Sequence, residues 1–179
     1  VWLTAWEALF ERCSLNAGET VLIQGGAGGV GYIAIQMAKV VGADVFTTVS
    51  GPEKAEFVKS LGADHAINYK ETDFVEEVYK LTDGIGVDVV FDVVGGQLLA
   101  DSFAAARIYG DVVTLDGINF TKEEADFAKL RNLSISYELM LTPMHFKMHD
   151  ARVHQTSLLV NAAKMIDEGK IKVVVNNVF

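Results

Sequence analysis

The sequence predicts an α/β domain: a doubly wound parallel sheet of about six strands with helices on both faces. Three observations carry this. Short β-rich runs alternate with helical patterns along the whole chain, as βαβ units require. A glycine-rich segment, Gly26-Ala27-Gly28-Gly29-Val30-Gly31, follows directly on an apolar run and opens a helical one. No Pro- or Ser-rich linker interrupts the chain, whose only prolines are Pro52 and Pro143, so residues 1–179 read as one domain.

The elements follow in order. Leu3, Trp6, Leu9 and Phe10 stand at helical spacing in an opening helix that reaches about Arg12. Asn16-Ala17-Gly18 turns the chain into a first strand, Thr20 to Gln24, around the continuous apolar run Val21-Leu22-Ile23. After the glycine turn a helix runs to Val41, with Gly42 as its C′ residue. Asp44 to Val49 is strand two. Gly51-Pro52 leads into a helix over Glu53 to Leu61, ended by Gly62. His65 to Asn68 is a short third strand, and Asp73 to Leu81 a helix with Thr72 or Asp73 as its N-cap. Asp83-Gly84-Ile85-Gly86 turns into strand four, Val87 to Val93. Gly95-Gly96 then opens a helix from Gln97 to Ala106. Asp111 to Leu115 is strand five, Lys122 to Leu130 a short helix, and Leu133 to Tyr137 strand six. Thr142 to Asp150 shows no periodicity and reads as irregular. Ala151 to Glu168 is the last long helix, stopped by Gly169, and Ile171 to Val175 reads as strand or tail. Right-handed crossovers wind such units into a doubly wound sheet.

Composition limits the partners. The formal net charge is -9, which repels nucleic-acid phosphate and anionic lipid, so neither nucleic acid nor a membrane surface is an expected partner. No apolar run approaches the length of a membrane span. Cys13 is the sole cysteine, so an internal disulfide is excluded and a reducing, cytoplasmic setting is expected. The start, Val1-Trp2-Leu3-Thr4, has neither an initiating Met nor a basic leader, and the chain is expected to begin mid-protein.

The glycine turn carries the chemistry. Early glycines allow a tight turn, Gly28 lets the backbone approach a pyrophosphate, and Gly31 lets the helix pack closely on the strand. Free N–H groups at the helix start then meet the phosphates. The bland reading is a glycine-rich turn that binds nothing. A Walker A loop is excluded because no Gly-Lys-Ser/Thr follows, and a flavin mononucleotide loop is usually rich in Ser and Thr. The end of strand two selects between dinucleotides. An NAD site places a carboxylate there for the ribose 2′-OH. This sequence has Ser50 instead, with Lys54 four residues on, which suits a 2′-phosphate and favours NADP(H). The alternative for Lys54 is a solvated helix-surface lysine. Glu53, the nearest acid, reads as a first-turn residue that complements the helix dipole.

Several ordered stretches together resemble a known family. They are Leu3-Thr4-Ala5-Trp6, Gly25 to Gly31 with Ala34-Ile35-Gln36-Met37-Ala38-Lys39, Leu61-Gly62-Ala63-Asp64-His65, Ile67-Asn68-Tyr69, and Gly86-Val87-Asp88-Val89-Val90-Phe91-Asp92-Val93-Val94-Gly95-Gly96. The chain is similar to the quinone oxidoreductase branch of the medium-chain dehydrogenase/reductase superfamily. The likeness covers nearly the whole chain and thins between Phe120 and Val153. It implies an NADPH-dependent oxidoreductase acting on quinones, enones or related carbonyls, of a branch that often works without zinc. Ser50, Lys54 and Tyr69 match positions around the 2′-phosphate, and Gly28, Gly29 and Val30 match the pyrophosphate turn. Val94, Gly95, Asp116 and Gly117 match loops on the nicotinamide side. The family's N-terminal GroES-like domain, which carries most substrate groups, is absent from these residues. The family also implies a homodimer through the edge strand near Leu133 to Tyr137.

Other constellations are weaker. His145, His149 and His154 invite a metal reading, but Phe146 stands where a zinc protease motif needs Glu, so no metal is expected. Ser102 and Ser157 lack a nucleophile-elbow context. No catalytic acid is identifiable in the chain. Two rivals to the NADPH reductase reading remain: a non-catalytic dinucleotide-sensing or assembly module, and an NAD-linked zinc-type alcohol dehydrogenase, which would want an acid where Ser50 stands.

Overall fold

The computed structural model describes residues 1–117 and 120–174. Six strands form one sheet: β1 (Thr20–Ile23), β2 (Asp44–Val49), β3 (His65–Asn68), β4 (Val87–Asp92), β5 (Ala106–Thr114) and β6 (Ser134–Tyr137). Their order is β3-β2-β1-β4-β5-β6 and every pairing is parallel. The strand order reverses between β1 and β4, and open sheets of this kind bind ligands outside the carboxyl ends at that point.

The central strands β1 and β4 are apolar on both faces because both faces are covered. Val21, Ile23, Val89 and Phe91 enter one core layer with Leu9 and with Ile33, Ala34 and Met37. Leu22 and Val90 enter the other, with Phe74, Val78, Leu99 and Phe103. The helices are α1 (Trp2–Trp6), α2 (Gly31–Val41), α3 (Pro52–Ser60), α4 (Phe74–Leu81), α5 (Gln97–Ala105), α6 (Lys122–Leu130), α7 (Thr142–His145) and α8 (His149–Asp167), and all but α7 supply these layers. Local signals place their ends. Asp73 caps α4 through the amides of Val75 and Glu76. Gly42 closes α2 in the left-handed conformation at φ 94°. Thr121 and Glu124 form a reciprocal capping box on α6.

The structure departs from the sequence expectations in three places. The opening helix changes character: α1 runs on as a π-helical stretch, Glu7–Arg12, in which the Cys13 amide donates to the Ala8 carbonyl. Strand five is longer than expected and starts directly after α5. Its register jumps from Val87↔Ala106 to Val89↔Asp111, so Arg107 to Gly110 bulge out of the ladder. Arg107 holds that bulge by donating to Asp88 (2.6 Å) and to the carbonyls of Ile108 and Tyr109. The stretch over Thr142 to Asp150 is not irregular. Pro143 suits the first turn of α7, and α8 begins at His149, two residues before the expected start. Of the two readings of Ile171 to Val175, strand or tail, Ile171 to Val174 follow the second, and Val175 lies outside the described residues.

β6 lies at one edge of the sheet and, among the described residues, pairs only with β5. Among the same residues no helix is long and apolar enough to cross a membrane.

Candidate functional site

The glycine turn sits between the carboxyl ends of β1 and β2. Gly25 donates its amide to Thr48 Oγ1 (3.0 Å), and Gly26 to the Thr48 carbonyl (3.2 Å). The Gly28 amide closes back on the Gly25 carbonyl (2.9 Å). The amides of Ala27, Gly29 and Val30 have no hydrogen-bond partner among the described residues. They stand at the start of α2, where unpaired N–H groups and the helix dipole favour an anion. The glycines have separate jobs. A Cβ on Gly31 would lie 2.5 Å from the Gly25 carbonyl oxygen and 2.8 Å from Gly26 Cα. A Cβ on Gly29 would meet only Val1, at 3.6 Å. Gly31 is therefore required by packing, whereas Gly29 leaves its outer face open.

Beside the turn, Gly25, Ala27, Gly28, Thr48, Val49, Ser50, Lys54 and Tyr69 line a single cavity of about 240 Å³. Ser50 follows β2, Lys54 lies in the first turns of α3 and Tyr69 follows β3, so three separate elements converge there. Among the described residues no carboxylate lines it. A larger cavity of about 500 Å³ shares Gly25, Thr48 and Tyr69 and extends to Phe74, Val94, Leu98, Asp73 and Asp101. Val94 thus stands with Tyr69, and its Cγ2 is 3.3 Å from where a Gly25 Cβ would be.

Gly95, Asp116 and Gly117 form a separate group. A Cβ on Gly95 would collide with the Asp116 carboxylate, which accepts from the Gly117 amide (2.8 Å). Asp116 and Gly117 border a small recess with Gly96 and Phe120. These two loops are tied from beneath by Asp92, fully buried at the end of β4. One of its carboxylate oxygens accepts from the amides of Val94 and Gly95 (both 3.0 Å), the other from Thr114 Oγ1 (2.8 Å). No sequence motif singles out Asp92, Thr114, Gln24 or Thr48 as site residues. A signal is nevertheless there: each is a polar residue in or at the carboxyl end of an otherwise buried strand, which demands a dedicated partner.

The sequence profile of the family described as zinc-binding dehydrogenase matches residues 29–152. The chain belongs to that family. It is a nicotinamide-dinucleotide-binding domain of the medium-chain dehydrogenase/reductase type. Curated relatives include a phenolphthiocerol/phthiocerol polyketide synthase component of Mycobacterium tuberculosis, 31% identical over 172 residues, covering 96% of this chain and 8% of that protein. Highly reducing polyketide synthase anuA of Penicillium roqueforti is 42% identical over 124 residues, 68% of this chain and 6% of that protein. Among solved structures, an alcohol dehydrogenase superfamily protein from Novosphingobium aromaticivorans superposes with a TM-score of 0.86 at 35% identity, over 95% of this chain and 49% of that one. The CurK enoyl reductase gives 0.82 at 33% identity, over 99% of this chain and 52% of that one. The chain therefore spans about half the length of these two solved relatives and 8% or less of the two synthases.

The family name implies zinc, but the described residues do not fit it. Among them no group of three or more His, Cys, Asp or Glu is placed to hold a metal ion. His145 belongs to α7 and His149 opens α8, while His154 Nε2 lies 2.7 Å from Glu11. Cys13 is buried, and its thiol pKa is pushed up to about 12 by burial and by nearby Asp111. A thiolate, the form that binds metal, is disfavoured there.

Proposed function

We propose that this domain binds NADP(H) and presents it for hydride transfer to a quinone, enone or related carbonyl compound. The polyketide synthase and enoyl reductase relatives favour an α,β-unsaturated acyl substrate within that class. The bound dinucleotide supplies the hydride, and the protein supplies binding and aim. One observation carries the cofactor choice: Ser50, Lys54 and Tyr69 converge on one cavity beside Gly28, and none of its described lining residues is a carboxylate. A hydroxyl and an ammonium there stabilise a 2′-phosphate, which a carboxylate would repel. The unpartnered amides at the start of α2 take the pyrophosphate, and the loops at Val94–Gly95 and Asp116–Gly117 face the nicotinamide end.

Calorimetric titration with both cofactors tests this. NADPH should bind at least about tenfold more tightly than NADH, the worth of one well-placed charge-assisted contact. Ser50→Asp should swing the preference toward NADH. Equal or reversed affinities in the native chain would sink the reading and leave an NAD-linked dehydrogenase as the better one.

The remaining substrate groups are proposed to come from a GroES-like domain of the kind the family carries, in a cytoplasmic enzyme. The outer edge of β6 is the proposed homodimer contact, since an edge strand offers ready backbone donors and acceptors. Light scattering should give a dimer that Ile135→Pro abolishes, and a monomeric native chain at high concentration would rule that contact out.

A further inference from the structure

We infer that Thr48 and Gln24 are positioning residues that hold the pyrophosphate turn in its binding geometry through a directional relay of buried hydrogen bonds. This rests on the dinucleotide reading above. The relay starts at the turn, where the Gly25 amide donates to Thr48 Oγ1 (3.0 Å). Thr48 Oγ1 donates to Gln24 Oε1 (2.7 Å), crossing from β2 to the end of β1. Gln24 Nε2 donates to Ser102 Oγ (3.1 Å), and Ser102 Oγ donates to the Leu98 carbonyl (2.7 Å) within α5. Gln24 and Ser102 are fully buried and Thr48 is 2% exposed.

The direction of the chain is fixed by its ends. The Leu98 carbonyl can only accept, so the Ser102 proton is committed to it and Ser102 Oγ must accept from Gln24. That sets the Gln24 amide with its nitrogen toward α5 and its oxygen toward β2. The oxygen needs a donor, and the Thr48 hydroxyl is the group in reach. Thr48 Oγ1 is then left as the acceptor for Gly25. Every link is satisfied in one arrangement only, which rigidifies what it joins. What it joins is the pyrophosphate turn at one end and α5 at the other, and α5 opens directly after the Gly95–Gly96 loop. Bulk packing does not explain a glutamine at Gln24, because the neighbouring strand residues Val21, Leu22 and Ile23 are all apolar and fully buried. A buried amide costs free energy unless it is fully bonded, so its presence marks a geometry that must be held.

Thr48→Val keeps the shape and removes the hydroxyl. It strips Gly25 of its acceptor and Gln24 of its donor, leaving the Gly26 amide on the Thr48 carbonyl as the turn's remaining hydrogen bond to β2. Two ligands separate positioning from general loosening. NADPH spans the turn, whereas adenosine 2′-monophosphate reaches only the Ser50, Lys54 and Tyr69 end and carries no pyrophosphate. Thr48→Val should weaken NADPH by about tenfold, since of the two hydrogen bonds lost the one to Gly25 acts directly on the turn. Adenosine 2′-monophosphate binding should weaken by a clearly smaller factor, since Thr48 also lines the cavity it enters but its hydrogen bonds go to the turn and to Gln24. Thr48→Ser, which restores the hydroxyl, should restore NADPH affinity. Ser102→Ala cuts the relay far from the turn and should weaken NADPH in the same selective way, by a smaller factor. The inference is overturned if Thr48→Val weakens both ligands alike, if it weakens neither, or if Ser102→Ala leaves NADPH binding untouched. Should Thr48→Val fail to fold, the Ser102→Ala comparison decides alone. If the native chain binds neither ligand, the dinucleotide reading itself falls and this inference with it. Binding of the monophosphate without NADPH would overturn the positioning role while sparing the 2′-phosphate site.

Discussion

Gly31→Ala should unfold or severely destabilise the domain, whereas Gly29→Ala should leave it folded and weaken cofactor binding. The two glycines are two residues apart in one motif, yet a methyl group meets different surroundings at each. At Gly31 it would lie 2.5 Å from the Gly25 carbonyl oxygen and 2.8 Å from Gly26 Cα. Both are backbone atoms of the turn and cannot rotate away. Relief requires α2 to move off β1, which opens the apolar layer that Ile33, Ala34 and Met37 share with Val21 and Ile23. The cost should reach or exceed the upper end of the roughly 1–3 kcal/mol typical of overpacking. At Gly29 the new methyl would meet only the Val1 side chain, at 3.6 Å, which is ordinary contact. Stability should stay within about 0.5 kcal/mol of native. The methyl would nevertheless stand on the open face of the turn, beside the unpartnered amides of Gly29 and Val30. NADPH affinity should fall by about tenfold or more. Urea unfolding and cofactor titration of both variants separate the two roles. A Gly29→Ala protein that binds NADPH normally would show that the pyrophosphate does not approach that face.

The same contrast between local and distant surroundings decides which parts of the molecule are legible in the sequence. The sheet is, because in a parallel sheet covered on both faces each strand is a short apolar run between turn signals, and Val21-Leu22-Ile23 or Val87 to Phe91 can be little else. Ser50 and Lys54 are legible from their place at the end of strand two, but Tyr69 is legible only through the family resemblance, since it stands on another element and shares no local pattern with them. Register irregularities are invisible. The bulge at Arg107 to Gly110 depends on Asp88 from another strand, and nothing within Arg107-Ile108-Tyr109 announces that partner. The π-helical stretch is equally hidden, because Leu9 and Phe10 fit an ordinary helix as well. α7 and the start of α8 escape because Met144, Phe146 and Met148 are exposed apolar residues, which blurs the amphipathic period by which helices are recognised. The polar groups that hold the site, Asp92, Gln24 and Thr48, escape for one reason. Each has a partner far along the chain, Thr114 for Asp92, Ser102 for Gln24 and Gly25 for Thr48, so their value appears only after folding.

Stability should fall as the pH rises from about 4.5 toward about 8, and Glu138→Gln should flatten that decline. Glu138 follows β6 with its side chain wholly buried. One carboxyl oxygen accepts from Arg12 Nε (3.1 Å). The other is buried without a hydrogen-bond donor among the described residues. Burial, then the adjacent Glu7 carboxyl, pushes the Glu138 pKa from its ordinary 4.5 up to about 8, against the pull of Arg12. Its proton is thus retained, and the neutral acid can donate to Glu7. Glu7 is itself buried and accepts from Gln155 Nε2 (2.8 Å), so the cluster ties the π-helical stretch to the end of β6 and to α8. The sign follows from linkage. Between pH 4.5 and 8 the folded chain holds a proton that the unfolded chain has released, so each rise in pH favours unfolding. The contribution is complete below 4.5 and lost once the folded group titrates near 8. Glu138→Gln carries a permanent donor toward Glu7 and keeps an acceptor for Arg12, with no proton to lose. Its melting temperature should match native at pH 5 and exceed it by pH 8, where a gain of about 2–4 °C corresponds to each kcal/mol in a domain of this size. The lowered carboxyl pKa values of Asp64 and Asp88 act on the acid side of this window, and the Cys13 thiol acts above it. Parallel melting curves for native and variant across pH 5 to 8 would show that Glu138 is ionised in the folded protein. Arg12 would then have to neutralise two buried carboxylates, and Arg12→Met would become the most damaging change in the cluster.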